Sequence, residues 1–147
     1  MLELKRILLA EDSAYDVELT LEALKENNLA NQVDVVQDGV KTMEYLRYQG
    51  KYAQREKGNP AVILLDLKMP RQDGLETLAE IRKDEKLKMI PVVILTSSKE
   101  ERDLIKGYEL GANAYVVKPV DFNSFRECVK LIGGFWAYIN ELPPELV

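Results

Sequence analysis

The amino-acid sequence predicts one α/β domain in which helices cover both faces of a parallel β-sheet. Its 147 residues suit a single domain of ordinary size. Five short apolar runs alternate along the chain with amphipathic stretches. Strands that alternate with helices form right-handed crossovers, which give a doubly wound parallel sheet.

The five predicted strands are the short apolar runs. They cover residues 7–10, 33–36, 61–65, 92–95 and 114–117. The third and fourth runs are continuously apolar, which is typical of strands buried on both faces. Pro91 opens the fourth strand, a position where a proline leaves the strand pairing intact.

Amphipathic stretches predict a helix after each strand. The apolar positions of the first four helices are Val17, Leu21 and Leu24; Val40, Met43 and Leu46; Leu75, Leu78 and Ile81; and Leu104, Ile105 and Tyr108. Asp38 is expected to cap the second helix. Ser98 and Glu101 predict a capping box for the fourth helix, which ends at Gly111.

The last helix has the most regular pattern. Its apolar positions repeat at steps of three and four residues: Phe122, Phe125, Val129, Ile132, Trp136 and Ile139. Gly133 and Gly134 should weaken it by about 1 kcal/mol each relative to alanine. Phe135, Trp136 and Tyr138 cover more than one helix face, so they form either a partner surface or additional core.

Residues 48–60 form the longest predicted connection. They are polar and include Gly50, Gly58 and Pro60. A connection of this length is either functional or a mobile insertion. We expect a solvated segment, with a docking element as the alternative.

Composition excludes several classes of protein. The net charge of −5 argues against nucleic-acid binding, which favours a basic surface. A single cysteine, Cys128, cannot form an internal disulfide and fits a reducing cytoplasm. The first apolar run is too short for a signal peptide, and no run reaches the roughly 20 residues that span a bilayer. We therefore expect a cytoplasmic protein that contacts neither membrane nor nucleic acid.

The chain contains no histidine. This absence excludes serine-type triads, histidine metal ligands and a role as a phosphohistidine donor. Any chemistry must be carried by carboxylates and lysine.

Polar residues follow four of the predicted strands. They are Glu11-Asp12, Asp66, Thr96-Ser97 and Lys118-Pro119. Any one of them has a simpler structural explanation, such as a turn or a helix cap. In a parallel sheet, however, the carboxyl ends of the strands share one edge, and ligands bind there. We therefore expect these side chains to converge.

The charges at this edge predict a divalent metal. Glu11, Asp12 and Asp66 bring three negative charges together, and Lys118 supplies one positive charge. Like charges repel strongly at short distance in a medium of reduced dielectric constant. Mg²⁺ supplies the two missing positive charges, and carboxylates, waters and phosphate oxygens are its usual ligands.

The ordered set of motifs resembles the response regulator receiver domains of bacterial two-component signalling. The matching residues are Glu11-Asp12, Asp66-Leu67-Lys68-Met69-Pro70, Asp73-Gly74, Thr96-Ser97, Gly111-Ala112, Tyr115 and Lys118-Pro119. The resemblance covers residues 5 to about 135. It implies a flavodoxin-like sheet with strand order 2-1-3-4-5.

The resemblance also implies a nucleophile and a metal site. Asp66 would take a phosphoryl group from a phosphohistidine. Asp12, Asp66 and the main-chain carbonyl of Lys68 would ligate Mg²⁺, and Glu11 would support the metal through water. Many members have Asp-Asp where this chain has Glu11-Asp12, which is expected to alter metal affinity rather than abolish function.

The remaining implied roles concern the response to phosphorylation. Thr96, which precedes Ser97, would hydrogen-bond the phosphoryl oxygens. Lys118 would form an ion pair with the same oxygens. Tyr115 would be the aromatic switch residue. Pro119 is expected in a cis peptide from the resemblance, although the general preference of X-Pro bonds is trans.

We expect residues 1–140 to form a stand-alone receiver and residues 141–147 to form a tail. The partners implied are a sensor histidine kinase or a phosphotransfer protein, and a second copy bound through the fourth helix, fifth strand and last helix. The segment before the third strand and the Phe135-Trp136 helix end are similar to regulators that serve bacterial phytochrome kinases.

Two other functions fit parts of the pattern. An aspartyl phosphohydrolase usually carries a second aspartate two residues after its nucleophile, and that position is Lys68 here. A degenerate receiver would bind partners without phosphorylation. The complete set of Asp66, Thr96, Lys118 and the acidic pair argues against it.

Overall fold

The computed structural model describes residues 5–144 and confirms the predicted α/β fold. The strands are β1 (Ile7–Ala10), β2 (Val33–Val36), β3 (Val62–Leu65), β4 (Val92–Thr96) and β5 (Ala114–Val117). The helices are α1 (Ala14–Lys25), α2 (Gly39–Leu46), α3 (Gly74–Lys83), α4 (Glu101–Glu109) and α5 (Phe122–Gly134). The strands form one parallel sheet in the order β2-β1-β3-β4-β5.

The core consists of two apolar layers, one on each face of the sheet. Successive strand residues point to opposite faces, so Leu8 and Ile63 join the layer beneath α2 and α3. Leu9 and Leu64 join the layer beneath α1 and α5. β1, β3 and β4 are buried along their whole length, as the continuous apolar runs of the third and fourth predicted strands indicated. In the described part of the chain, no helix is both long enough and apolar enough to cross a membrane.

One of the two predicted helix caps is correct. The Asp38 carboxylate accepts a hydrogen bond from the main-chain N–H of Lys41 and caps α2. The capping box predicted from Ser98 and Glu101 is wrong, because α4 begins only at Glu101. The Ser98 hydroxyl donates instead to the carboxylate of Asp103, 2.6 Å away.

The last helix is less regular than its apolar pattern predicts. α5 ends at Gly134 and continues as one π-helical turn, Phe135–Ile139. The buried positions follow a line of four-residue steps: Phe125, Val129, Gly133 and Ala137. Phe122 and Ile139 are 43% and 70% exposed, so the apolar pattern extends beyond the buried face of the helix. Gly133 allows close packing on α1, because a Cβ there would lie 2.5 Å from Cδ2 of Leu24.

The segment before β3 is largely exposed, as predicted, but Arg55 anchors it to α2. The Arg55 guanidinium lies between the rings of Tyr45 and Tyr48, 3.9 and 4.0 Å from their centroids. Its Nε also donates to the main-chain carbonyl of Tyr45 at 2.7 Å. Stacking of this kind is favourable because the ring face is electron-rich. The docking role of this segment stays a prediction.

Candidate functional site

The ends of the three central strands meet at one edge of the sheet. Ala10 and Leu65 are paired residues of β1 and β3, and Leu65 also pairs with Ile94 of β4. The ladder continues past the strands, because the N–H of Asp66 donates to the Ala10 carbonyl at 3.0 Å. Glu11 and Asp66 are therefore placed by main-chain pairing rather than by loop conformation.

Three carboxylates converge at this edge, as predicted. One oxygen each from Glu11, Asp12 and Asp66 lies within 4.8 Å of the others. Glu11 and Asp66 are only 3% and 8% exposed, whereas Asp12 faces solvent. Hard oxygen ligands on a partly open site are the donors that Mg²⁺ and similar ions prefer.

Lys118 joins the carboxylates from β5. Its Nζ lies 2.5 Å from Oε1 of Glu11 and 3.5 Å from Oδ2 of Asp66. The Lys118 side chain is 8% exposed. A buried ammonium needs such partners, because an unpaired buried charge is strongly destabilising.

Asp16 is a fourth acidic residue of the site, and the sequence analysis did not identify it. Its Oδ2 lies 2.8 Å from Nζ of Lys118. Asp16 stands in the first turn of α1, where Ser13 caps the helix by accepting a hydrogen bond from its N–H. An acid in that turn is normally explained by the helix dipole, so its sequence position carried no other signal.

Burial and mutual repulsion perturb the titration of the site. Burial raises the pKa of Glu11 to about 7, with Lys118 opposing the shift and the charge of Asp66 adding to it. Burial by itself lowers the pKa of Lys118, but hydrogen bonds to Asp16 and Glu11 outweigh it and raise that pKa. The carboxylates of Glu11, Asp12 and Asp66 outnumber the single ammonium of Lys118, so the donor set fits a divalent cation.

Thr96 ends β4 and is completely buried. Its Oγ1 accepts a hydrogen bond from the N–H of Ser98 at 3.4 Å. Ser97, which follows it, is exposed. The Lys118 N–H donates to the Thr96 carbonyl at 2.7 Å, so β4 and β5 hold the hydroxyl and the ammonium in fixed register.

Tyr115 lies on β5, paired with Ile94 of β4. Its ring is half-buried beneath α4, where a Cβ on Gly107 would lie 3.2 Å from Cδ2 of the ring. The hydroxyl donates to the Ser98 carbonyl at 3.1 Å. Burial raises the pKa of Tyr115. Ser98 thus contacts both Thr96 and Tyr115.

The loop after Asp66 is tied to α2. Arg71 donates two hydrogen bonds to the Asp38 carboxylate, at 3.0 and 3.2 Å. Arg71 has a φ of 64°, in the left-handed region. The Lys68 side chain is exposed. This loop carries the Lys68 carbonyl that the resemblance assigns to the metal.

The predicted cis peptide before Pro119 is absent. All peptide bonds of the described residues are trans, including Lys118-Pro119. The general preference for trans therefore holds at this position.

Comparison with known proteins identifies the family. The family model of the response regulator receiver domain matches residues 7–130 of this chain. The chain belongs to the response regulator receiver family. Such receivers are phosphorylation-dependent switches of two-component systems, which interact with histidine kinases or phosphotransfer proteins. They act in signalling and do not catalyse a metabolic reaction.

Individual relatives extend this result. Response regulator Rcp1 of Synechocystis sp. is 41% identical over 139 residues, which cover 95% of this chain and 93% of Rcp1. Rcp1 has been solved in an Mn²⁺-bound form, with a TM-score of 0.87 to this receiver. The phosphorylated cyanobacterial phytochrome response regulator RcpA is 41% identical, with a TM-score of 0.89 over 97% of this chain and all of RcpA. The bacteriophytochrome response regulator RtBRR is 55% identical, with a TM-score of 0.76 over 97% of this chain and 86% of RtBRR.

Proposed function

We propose that this receiver takes a phosphoryl group from a kinase phosphohistidine onto Asp66. The observation that carries the proposal is the position of Asp66, which ends the central strand β3 beside two further carboxylates and Lys118. An Asp66 carboxylate oxygen attacks phosphorus as the P–N bond of the phosphohistidine breaks. The imidazole leaves with the electron pair, and Asp66 becomes an acyl phosphate.

We infer that the metal of this site is Mg²⁺. Asp12, Asp66 and the Lys68 carbonyl would hold it, and Glu11 would support it through water. When bound, it supplies two positive charges that balance the acidic cluster and the incoming phosphoryl oxygens. The charge count supports this assignment, because three carboxylates converge there and Lys118 supplies a single positive charge against them.

Lys118 and Thr96 are proposed to contact the added group. The Lys118 ammonium would pair with a phosphoryl oxygen, since it already lies 3.5 Å from Asp66. The Thr96 hydroxyl would donate to another, giving up its contact with Ser98. Ser97 and Pro119 would shape the loops on either side of this pocket.

The signal would leave the pocket through Tyr115. Movement of Thr96 toward the phosphoryl group alters its contact with Ser98, to which the Tyr115 hydroxyl is bound. The Tyr115 ring would then move inward and change the face formed by α4, β5 and α5. Exposed Leu104, Ile105 and Tyr108 supply apolar area on that face, so we expect dimerisation through it to depend on phosphorylation.

The proposed receiver comprises residues 1–140 and acts in the cytoplasm, with residues 141–147 as a tail. Residues 1–4 and 145–147 lie outside the described part of the chain. Its phosphodonor is proposed to be a phytochrome-type histidine kinase, because RcpA and RtBRR are phytochrome response regulators.

The test is mass measurement of intact protein after treatment with acetyl phosphate and Mg²⁺. Wild type should gain one phosphoryl group, and Asp66→Asn should gain none. Asp84→Asn is the control, because Asp84 follows α3 and binds Arg47 away from the carboxylate cluster. An adduct formed at full yield in Asp66→Asn would overturn the assignment.

A further inference from the structure

The Lys118 ammonium lies closer to β1 and α1 than to the nucleophile. Its Nζ is 2.5 Å from Glu11 and 2.8 Å from Asp16, but 3.5 Å from Asp66. Ordinary N–H···O hydrogen bonds reach about 3.2 Å, so the contact with Asp66 is longer than a full hydrogen bond, whereas the other two contacts are not. The ammonium therefore lies nearer to Glu11 and Asp16 than to the phosphoacceptor.

The main chain fixes the position of Asp16. Its N–H donates to the Ser13 hydroxyl at 3.2 Å, and its carbonyl accepts from the Thr20 hydroxyl at 2.7 Å. Its side chain is 28% exposed, against 8% for that of Lys118. Within residues 5–144, the metal-type cluster consists of Glu11, Asp12 and Asp66, and Asp16 is not part of it. Its ion pair in the site is with Lys118.

We propose that Asp16 is a positioning residue, which holds Lys118 away from Asp66 and so disfavours the phosphorylated state. This inference rests on the proposed function. A phosphoryl group on Asp66 needs Lys118 as its counter-charge, so the ammonium must move toward Asp66. That movement lengthens the contact with Asp16. An interaction made fully in only one of two states shifts the equilibrium toward that state.

The test uses beryllofluoride, a non-covalent analogue of the phosphoryl group, titrated into the Mg²⁺-loaded full chain. Asp16→Asn keeps the size of the side chain and the main-chain hydrogen bonds of the residue, but it removes the charge. We expect Asp16→Asn to bind beryllofluoride more tightly than wild type, on the order of fivefold, the effect of one partly exposed ion pair. Asp16→Glu should restore an affinity close to that of wild type.

Two controls separate positioning from a general charge effect. Glu18→Gln removes the same charge from an exposed site on α1 and should leave the affinity unchanged. The second control repeats Asp16→Asn in a Lys118→Gln background, titrated to proportionally higher beryllofluoride concentrations. There the gain should largely disappear, because the ammonium that Asp16 holds is gone.

The outcomes distinguish this inference from the proposed function. Wild type that fails to bind beryllofluoride in the presence of Mg²⁺ would overturn the proposed function itself. Wild type that binds, with Asp16→Asn binding equally or more weakly, would overturn only the role of Asp16. A gain of the same size in the Lys118→Gln background would show simple charge repulsion and would also overturn the positioning role.

Discussion

The acidic pocket and the α4–β5–α5 face differ in how firmly they are held. The strands that end in the pocket, β1 and β3, are buried throughout, and Lys118 contacts three of its carboxylates. In the α4–β5–α5 face, by contrast, Gly107 is the only buried residue of α4, and β5 is only half-buried. Among the described residues, no side chain caps α4. Regions with little buried apolar area open at low free-energy cost, so the pocket suits fixed chemistry and the face suits conformational change.

Two glycine substitutions should separate the regions most strongly. A Cβ on Gly74 would lie 2.3 Å from the main-chain oxygen of Asp66, and backbone cannot move aside. We expect Gly74→Ala to lower the free energy of unfolding by about 3 kcal/mol. A Cβ on Gly107 would lie 2.8 Å from Cδ1 of Ile94, the flexible end of a side chain. Gly107→Ala should lower the free energy of unfolding by about 1 kcal/mol or less, because the helix propensity of alanine offsets part of the steric cost. Denaturant unfolding measures both free energies, and equal decreases in the two variants would contradict the proposed difference between pocket and face.

Within the pocket, the two acids that follow β1 should contribute unequally to metal binding. Asp12 is exposed and makes no ion pair with the described residues, so its carboxylate is available to a cation. Glu11 already accepts hydrogen bonds from Lys118 and the Ser13 N–H. We expect Asp12→Ala to weaken Mg²⁺ binding at least about tenfold, and Glu11→Ala to weaken it less. Calorimetric titration measures both, with Glu22→Ala on the exposed side of α1 as the control. Wild-type affinity in Asp12→Ala contradicts its role as a ligand.

A smaller effect should appear in the pH dependence of stability without metal. The pKa of Glu11 rises from 4.5 to about 7 on folding. A carboxyl group with a raised folded-state pKa contributes stability that is complete below pH 4.5 and is lost as pH rises through 7. In EDTA, wild type should therefore lose thermal stability across this range relative to Glu11→Gln. Mg²⁺ should reduce the loss, because it favours the ionised carboxylate. If the melting temperatures of the two proteins change equally with pH, Glu11 does not titrate in this window.

Much of the pocket was predictable because strand periodicity places it. Glu11, Asp66 and Thr96 directly follow or end apolar runs, and parallel pairing brings such positions to one edge regardless of loop detail. Their convergence follows from the order of apolar and polar residues alone. The need for a divalent cation was predictable for the same reason, because the charges at these strand ends can be counted from the sequence.

Asp16 and Arg55 could not be placed by the same reasoning. Asp16 reaches Lys118 only through the orientation of α1 against the sheet, and helix periodicity does not specify that orientation. Arg55 is held by rings on α2 and in the following turn, a tertiary contact with no short-range signal. The Ser98 capping prediction failed because α4 begins three residues later, at Glu101, and the Ser98 hydroxyl accepts from the Glu100 N–H and donates to Asp103.

The central claim is that phosphorylation of Asp66 acts on the α4–β5–α5 face through Thr96 and Tyr115. Hydrogen exchange by mass spectrometry, with and without acetyl phosphate and Mg²⁺, measures this directly in wild type and Thr96→Ala. Both proteins should gain the phosphoryl group by intact mass. In wild type, exchange should change in peptides covering α4 and β5, while β1 and β3 stay protected. In phosphorylated Thr96→Ala that change should be mostly lost, and a change as large as in wild type would contradict the proposed coupling.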